Sequence, residues 1–350
     1  MELNSPQRIA VFKFRNIGDV LMMTPSLHAL RLHYPKARIT AVVNSVTDAM
    51  LQNNPDIDET LVYERDARKG NPLRWLFYEL SFARQLRQRR FDVTIDFTGG
   101  DRTLWYALLS GARQRVGFRN YRWGKYNWRN FVLNCGFKQP DDSMHEVEKH
   151  AWLLRQVGVS GGDGPLCLKT DAASDKWARG LIETRRPGKV VHVHPVSRWL
   201  FKCWEDASMA AVIDWLQSER KASVIVSTSN NPRERERAQQ IVARCRTTPT
   251  VLDGNVTLEQ LTALSAQADC FFGVDTAPMH IAAAVGTPAV ALFGPSNPAH
   301  WHPWSKNQIT LSKDCPCRTS GSQVCDWTQT RACLAAITVE EAQKALGEFL

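Results

Sequence analysis

The sequence predicts an α/β protein built from two doubly wound domains, each a parallel sheet with helices on both faces. Three observations point there. Short apolar runs alternate with segments whose apolar residues recur at helical spacing. That rhythm stops at the turn-rich "SGGDGPL" of residues 160–166 and resumes at "KVVHVHP" from Lys189. The 350 residues exceed one ordinary domain and suit two, and a hydrophobic content of 43% supplies a core for each.

The elements follow in order. "RIAVFKF" reads as a buried strand, "VLMMTPSLHALRLHY" as a helix, "RITAVVN" as a strand and "VTDAMLQNN" as a helix. "ETLVYE" is strand-like, "PLRWLFYELSFARQLRQRR" a long helix and "FDVTIDFT" a clear strand. Near-continuous apolar strands of this kind belong to parallel sheets covered on both faces. "GARQRVGFRNYRWGKYNWRNF" breaks the pattern, with arginines alternating with aromatics, and "HEVEKHAWLLRQVGV" returns to a helix.

After the turn-rich stretch come the strand "KVVHVHP", the helix "DASMAAVIDWLQSER" and the strand "ASVIVST". The helices "RERERAQQIVARC" and "LEQLTALSAQA" follow, then strand "CFFGVD", short helix "APMHIAAAVG" and strand "AVALFG". "TVEEAQKALGEFL" closes the chain as a helix. The expected division is a first domain over 1–165, a linker region over 166–187 and a second domain over 188–350.

Charge and composition narrow the function classes. A formal net charge of +9 favours anionic partners: nucleic acid, acidic headgroups or phosphorylated substrates. No apolar stretch is long enough to span a bilayer. "MELNSPQRIAVFKF" lacks a basic, an apolar and a cleavage region, so a soluble cytoplasmic protein is expected. Of nine cysteines, Cys315, Cys317, Cys325 and Cys333 cluster. A structural zinc and a loop fastened by its cysteines both fit that cluster, because C-x-C followed by two wide gaps is not a zinc-ribbon spacing.

In open α/β sheets ligands bind beyond the C-terminal strand ends. Three such places carry polar groups. After the first strand comes "RNIGDV", without G-x-G-x-x-G or G-x-x-x-x-G-K-[ST]. Here Gly18 allows a tight turn, and Asp19 is either a helix cap or a general base. In "HPVSRWLFKCWED", Ser197 and Lys202 can hold a phosphate or simply decorate a solvated loop. In "GVDTAPMHIAAAVG", Asp275 or Thr276 caps a helix with Pro278 in its first turn. Free amides there suit a diphosphate, Asp275 suits sugar hydroxyls, and His280 is either part of that site or a packed helix histidine.

"KFRNIGDVLMMTPSLHALR", "HEVEKHAWLLRQVGV", "FKCW" and "LDGNVTLEQLTALSAQADCFFGVDTAPMHIAAAVGTPAVALFGPSNPAHWHPW" together resemble glycosyltransferase family 9, the bacterial lipopolysaccharide heptosyltransferases. The resemblance runs in order over most of the chain. It implies a GT-B fold, two Rossmann-like doubly wound domains facing across a cleft, with the final helix able to pack back on the N-terminal one. It implies an acceptor-binding first domain and a second domain that takes ADP-heptose. Transfer would be inverting, with no metal and no cofactor.

Residue by residue, Asp19 matches the family's base and Gly18 its neighbour on the acceptor side. Lys202 matches a phosphate-binding lysine, with Ser197 nearby, and Asp275 the aspartate on the donor sugar. Thr276, Ala277 and His280 match the loop around the diphosphate, although many members have Gly where this chain has Ala277. For the donor ribose, "NNPRERERA" offers Glu234 and Glu236, and Glu234 is taken as the candidate. Arg113, Arg119, Arg122 and Arg129 lie in the acceptor half. They are expected to meet lipopolysaccharide phosphates or headgroups at the cytoplasmic face of the inner membrane. The rival readings are a nucleic-acid-binding protein, suggested by the basic charge, and a catalytically inactive sugar-nucleotide-binding protein.

Overall fold

A computed structural model describes residues 2–69, 71–119, 131–140, 143–184, 188–314 and 332–350. The chain divides into two units, the first ending at Leu168 and the second beginning at Lys169.

The first unit forms around "IAVF". Ile9, Ala10, Val11 and Phe12 have no exposure and make the centre of β1 (Arg8–Lys13). Next come α1 (Ile17–Leu21), α2 (Thr24–His33), β2 (Arg38–Asn44), β3 (Glu59–Tyr63) and α3 (Pro72–Gln88). β4 (Val93–Asp96), α4 (Asp101–Leu109), β5 (Gln114–Arg119), β6 (Cys135–Lys138) and α5 (Glu146–Arg155) complete it. Among the described residues the sheet is parallel throughout, in the order β3-β2-β1-β4-β5-β6. The winding direction therefore reverses between β1 and β4.

Three local expectations are corrected here. The single helix expected over "VLMMTPSLHALRLHY" is two, because Pro25 sits in the first turn of α2, where its missing N–H is tolerated. The Thr24 hydroxyl donates to the Leu21 carbonyl across the break at 2.7 Å. "VTDAMLQNN" is only a 3-10 turn, Thr47–Leu51, entered through Val46 at φ 74° and left before Asn53 at φ 56°. The start of the arginine–aromatic stretch is β5, buried at Val116 and Gly117 and half-buried at its ends.

The second unit begins inside the expected linker. α6 (Ala172–Glu183) is capped by Asp171, whose carboxylate accepts the Ser174 N–H at 2.9 Å. Its Trp177, Leu181 and Ile182 pack with Leu264 and Ala268 over Val190 and Ile225. The segment is thus a structural layer of the second unit. β7 (Val190–His194), α7 (Asp206–Ser218), β8 (Ser223–Ser227), α8 (Pro232–Val242) and β9 (Thr250–Leu252) follow. Then come α9 (Leu258–Gln267), β10 (Cys270–Val274), α10 (Ala277–Ala284), β11 (Ala289–Phe293), α11 (Pro298–Trp301) and β12 (Gln308–Ser312).

The described strands again form one parallel sheet, β12-β11-β10-β7-β8-β9, which reverses between β7 and β10. After α12 (Ala332–Ala335), the final helix α13 (Val339–Gly347) is fixed by a Thr338–Glu341 capping box. Its Ala342, Ala345 and Leu346 join Val212 and Leu216 of α7 in the core of the second unit.

Candidate functional site

In each unit the charged groups gather beyond the C-terminal strand ends, at the point where strand order reverses. In the second unit that point lies between β7 and β10. Gly273 makes the close approach possible: a Cβ there would lie 2.6 Å from the His194 carbonyl oxygen and 2.9 Å from the Phe271 ring. β10 ends at Val274, so Asp275 is the first residue past the sheet, and it is buried. From the β7 side, a 3-10 turn at Leu200–Lys202 carries Lys202 back over the same edge. Its ammonium reaches the Asp275 carboxylate at 2.6 Å, so residues 73 positions apart form one ion pair.

The other donor-side candidates surround this pair in the chain. Ser197 is buried, and its Oγ accepts the Trp199 N–H at 3.3 Å. Thr276 is the N-cap of α10 in extended backbone, at φ −159°; Ala277 and Pro278 open the helix. Asp275 is therefore the charge partner of Lys202, and the cap position belongs to Thr276. Small residues let α10 lie close: Met279 and Ala282 pack on Phe271, Ala289 and Ala291. His280 is buried one turn in.

Glu234 is buried in the first turn of α8, whereas Glu236 is exposed. Burial pushes the Glu234 carboxyl upward, against the Ser229 hydroxyl and the nearby Arg198. Beneath the site, the Ser227 hydroxyl lies 2.7 Å from His192 Nε2 and 2.8 Å from His194 Nδ1. Burial holds these imidazoles down at about 3 and about 4, so both are neutral near pH 7.

In the first unit the reversal lies between β1 and β4. Asp19 is buried, its Oδ2 accepts the Asn16 N–H at 3.2 Å, and its Oδ1 stands 3.9 Å from Lys13 Nζ. The carboxylate thus both fastens a helix start and faces a cation. Gly18 is helical, within α1, and not in the tight turn expected of it.

Lys13, the last residue of β1, is 1% exposed. Its ammonium donates to the Phe97 carbonyl at 3.1 Å, lies 2.9 Å from His150 Nε2 and stands 3.7 Å from Glu146 Oε2. Lys149 adds a 3.0 Å contact to the other Glu146 oxygen. An ammonium only donates, so His150 Nε2 accepts and Nδ1–H points to the Met22 carbonyl at 3.3 Å. Burial, with Lys13 next, keeps the His150 pKa well below its usual value. Burial alone would raise Glu146, yet the ammonium groups of Lys13 and Lys149 outweigh it and hold this carboxyl at about 2.

Beside this cluster is an open pocket of about 260 Å³, edged by Arg15, Arg65 and Arg102 with Asn44 and Thr98. Arg15 donates to the Thr98 carbonyl at 3.1 Å, and Arg102 stacks over the Tyr63 ring at 4.8 Å. Fixed guanidinium groups of this kind suit carboxylates and phosphates.

Lys13, Glu146, Lys149, His150 and the three pocket arginines went unremarked in the sequence. The signals were a lysine closing an apolar strand and the i, i+3, i+4 spacing of Glu146, Lys149 and His150 on one helix face. The basic segment is only partly placed. Arg113 is exposed, while Arg119 is half-buried, with Nη2 donating to the Leu133 carbonyl at 3.4 Å. Arg122 and Arg129 lie outside the described residues, as do Cys315, Cys317 and Cys325. Cys333 is buried in the apolar core of the second unit.

Two doubly wound parallel sheets in one chain, each with its polar groups at the reversal point, define an α/β protein of the GT-B class. The solved glycosyl transferase family 9 from Veillonella parvula DSM 2008 shares this fold with a TM-score of 0.82 and 22% identity, over 100% of this chain and 98% of that one. The solved E. coli ADP-heptose lps heptosyltransferase II gives 0.77 at 20% identity, covering 98% of each. Residues 79–329 match the profile of "Glycosyltransferase family 9 (heptosyltransferase)". A lipopolysaccharide heptosyltransferase 3 of Escherichia coli is 30% identical over 294 residues, 83% of this chain and 85% of that protein. The chain belongs to glycosyltransferase family 9, and it is a glycosyltransferase.

Proposed function

We propose that this protein transfers a heptose from ADP-L-glycero-D-manno-heptose to a hydroxyl of the lipopolysaccharide inner core, with inversion and without a metal ion. The observation that carries the reading is the Lys202–Asp275 pair at the reversal point of the second sheet. An ammonium there supplies fixed positive charge for a leaving diphosphate, and the carboxylate beside it can accept sugar hydroxyls. The similarity to a lipopolysaccharide heptosyltransferase 3 and to an ADP-heptose lps heptosyltransferase II supports both substrates.

Asp19 is assigned as the base. It takes the proton of the acceptor hydroxyl as that oxygen attacks the anomeric carbon opposite the diphosphate. One C–O bond forms, the bond to ADP breaks, and configuration inverts. Lys202, Ser197 and the amides at the start of α10, around Thr276 and Ala277, stabilise the departing charge, which is the role a divalent metal would otherwise fill. Glu234 is assigned to the donor ribose and His280 to the support of the diphosphate loop. Arg15, Arg65 and Arg102 line the acceptor pocket, where core carboxylates and phosphates would bind. The acceptor is lipid-linked, so the enzyme works as a peripheral protein at the cytoplasmic face of the inner membrane.

The test is incubation with ADP-heptose and a set of truncated lipopolysaccharides, reading product mass and linkage. A new α- or β-linkage opposite to that of the donor supports the reading. Turnover of ADP-heptose with no glycosylated lipid, or transfer with retained configuration, refutes it.

A further inference from the structure

The exposed apolar residues of this chain are not scattered. Among the described residues, seven of the eleven exposed large apolar side chains lie on α3 and α4, which pack beside one another on the first sheet. On α3 they are Leu73, Leu76, Phe77 and Leu80, at 65, 48, 70 and 58% exposure. The spacing i, i+3, i+4, i+7 puts all four on one helix face. On α4 they are Trp105, Leu108 and Leu109, again at i, i+3, i+4. The buried faces are separate and complete: Phe82, Leu86 and Tyr106 fill the core with Tyr63 and Phe12. The outward apolar stripe is therefore surplus to folding.

The charges on α3 agree in sign. Arg74, Arg84 and Arg87 are exposed, and the helical spacing of Arg84 and Arg87 continues the apolar stripe. The only acid on α3, Glu79, turns inward and accepts from Tyr63, Trp75 and Tyr106. An apolar stripe bordered by arginines, with no exposed carboxylate on its helix, fits an anionic bilayer surface: the stripe enters the acyl boundary and the guanidiniums meet phosphate. We infer that the outer face of α3 and α4 is the surface by which this protein docks on an anionic lipid bilayer. The inference deepens the peripheral-membrane part of the reading above and is independent of the transfer chemistry.

The experiment is cosedimentation of the full chain with vesicles of phosphatidylcholine alone or with 30% phosphatidylglycerol, a composition chosen to supply negative charge without lipopolysaccharide. Wild type should bind the anionic vesicles, less so in high salt, and bind neutral ones weakly. The triple variant L73Q/F77Q/L80Q should lose at least tenfold in partitioning. R74Q/R84Q/R87Q should lose about fivefold per charge and most of the salt dependence. These side chains are on the surface, and both variants should keep wild-type ADP binding and wild-type transfer to a soluble, deacylated acceptor. Equal vesicle binding by wild type and both variants overturns the inference. So does a wild-type dimer that the triple variant dissociates, because the face would then join two copies. Loss of vesicle binding with transfer intact separates this inference from the catalytic proposal.

Discussion

Replacing Glu146 with Gln tests the charge cluster behind Asp19 most directly. The amide keeps the shape and removes the charge that Lys13 meets at 3.7 Å and Lys149 at 3.0 Å. The Glu146 carboxyl is held at about 2 against an ordinary 4.5. Its folded pKa is depressed, so the stability it contributes is fully present above the ordinary value and is lost as pH falls through the folded one. The displacement from 4.5 to about 2 is worth about 3 kcal/mol at pH 7, falling to about 1 kcal/mol at pH 3. The carboxylate is mostly buried, its side chain 16% exposed, so solvent screening removes little of this.

His150 cannot compensate, because burial keeps it neutral. The assay is urea unfolding of wild type and Glu146→Gln at pH 7 and pH 3, followed by pulse hydrogen exchange in β1 and α5 peptides. That choice of peptides assigns the loss to the first unit. The expected gap of about 3 kcal/mol at pH 7 should shrink by more than half at pH 3. Coincident curves at pH 7, or a gap that does not change with pH, would refute the reasoning.

Four further outcomes are expected. Asp19→Asn should cut transfer by about 10²–10⁴-fold while ADP affinity, read by calorimetry, stays within about twofold; normal transfer removes Asp19 from the role of base. Lys202→Met and Asp275→Asn should each weaken ADP-heptose binding, and the double variant should lose less than the sum by about 0.5–3 kcal/mol; strict additivity would mean the 2.6 Å pair does not act as a unit. Acid should weaken the second unit from about pH 6.5 downward, because His192 and His194 are held neutral at about 3 and about 4 while the unfolded chain takes up protons first. His194→Asn should flatten that slope in urea midpoints between pH 7 and 4, and an unchanged slope counts against it. Finally, dialysis against EDTA should leave the transfer rate unchanged, and a loss restored by magnesium would show that a metal carries the leaving-group charge.

The central strands were legible because parallel strands covered on both faces have near-continuous apolar sequences: "RIAVFK", "CFFGV" and "AVALF" all have buried interiors. The edge strands of the second sheet were not. Thr250–Leu252 and Gln308–Ser312 are half-exposed throughout and carry no continuous apolar run to mark them. α6 was missed because its strongest marker, the Asp171 cap, sits in a stretch that otherwise resembles a linker. The loop residues of the candidate site were singled out from their place after strands. The Lys202–Asp275 contact was not, since two groups 73 residues apart are joined only by the order β10-β7. Lys13 escaped notice for a different reason: a lysine at a strand end usually points to water, and this one is stabilised by Glu146 and His150 contributed by α5.

Gly273 carries one more implication. A single hydrogen there sets how near β7 and β10 of the second sheet come, and therefore how far Asp275 stands from the loop that bears Lys202. Alanine would force those strands apart at the His194 oxygen, 2.6 Å from its Cβ. In the proposed reading, a residue that offers the donor no side chain thus still sets the spacing of the pair that would hold it.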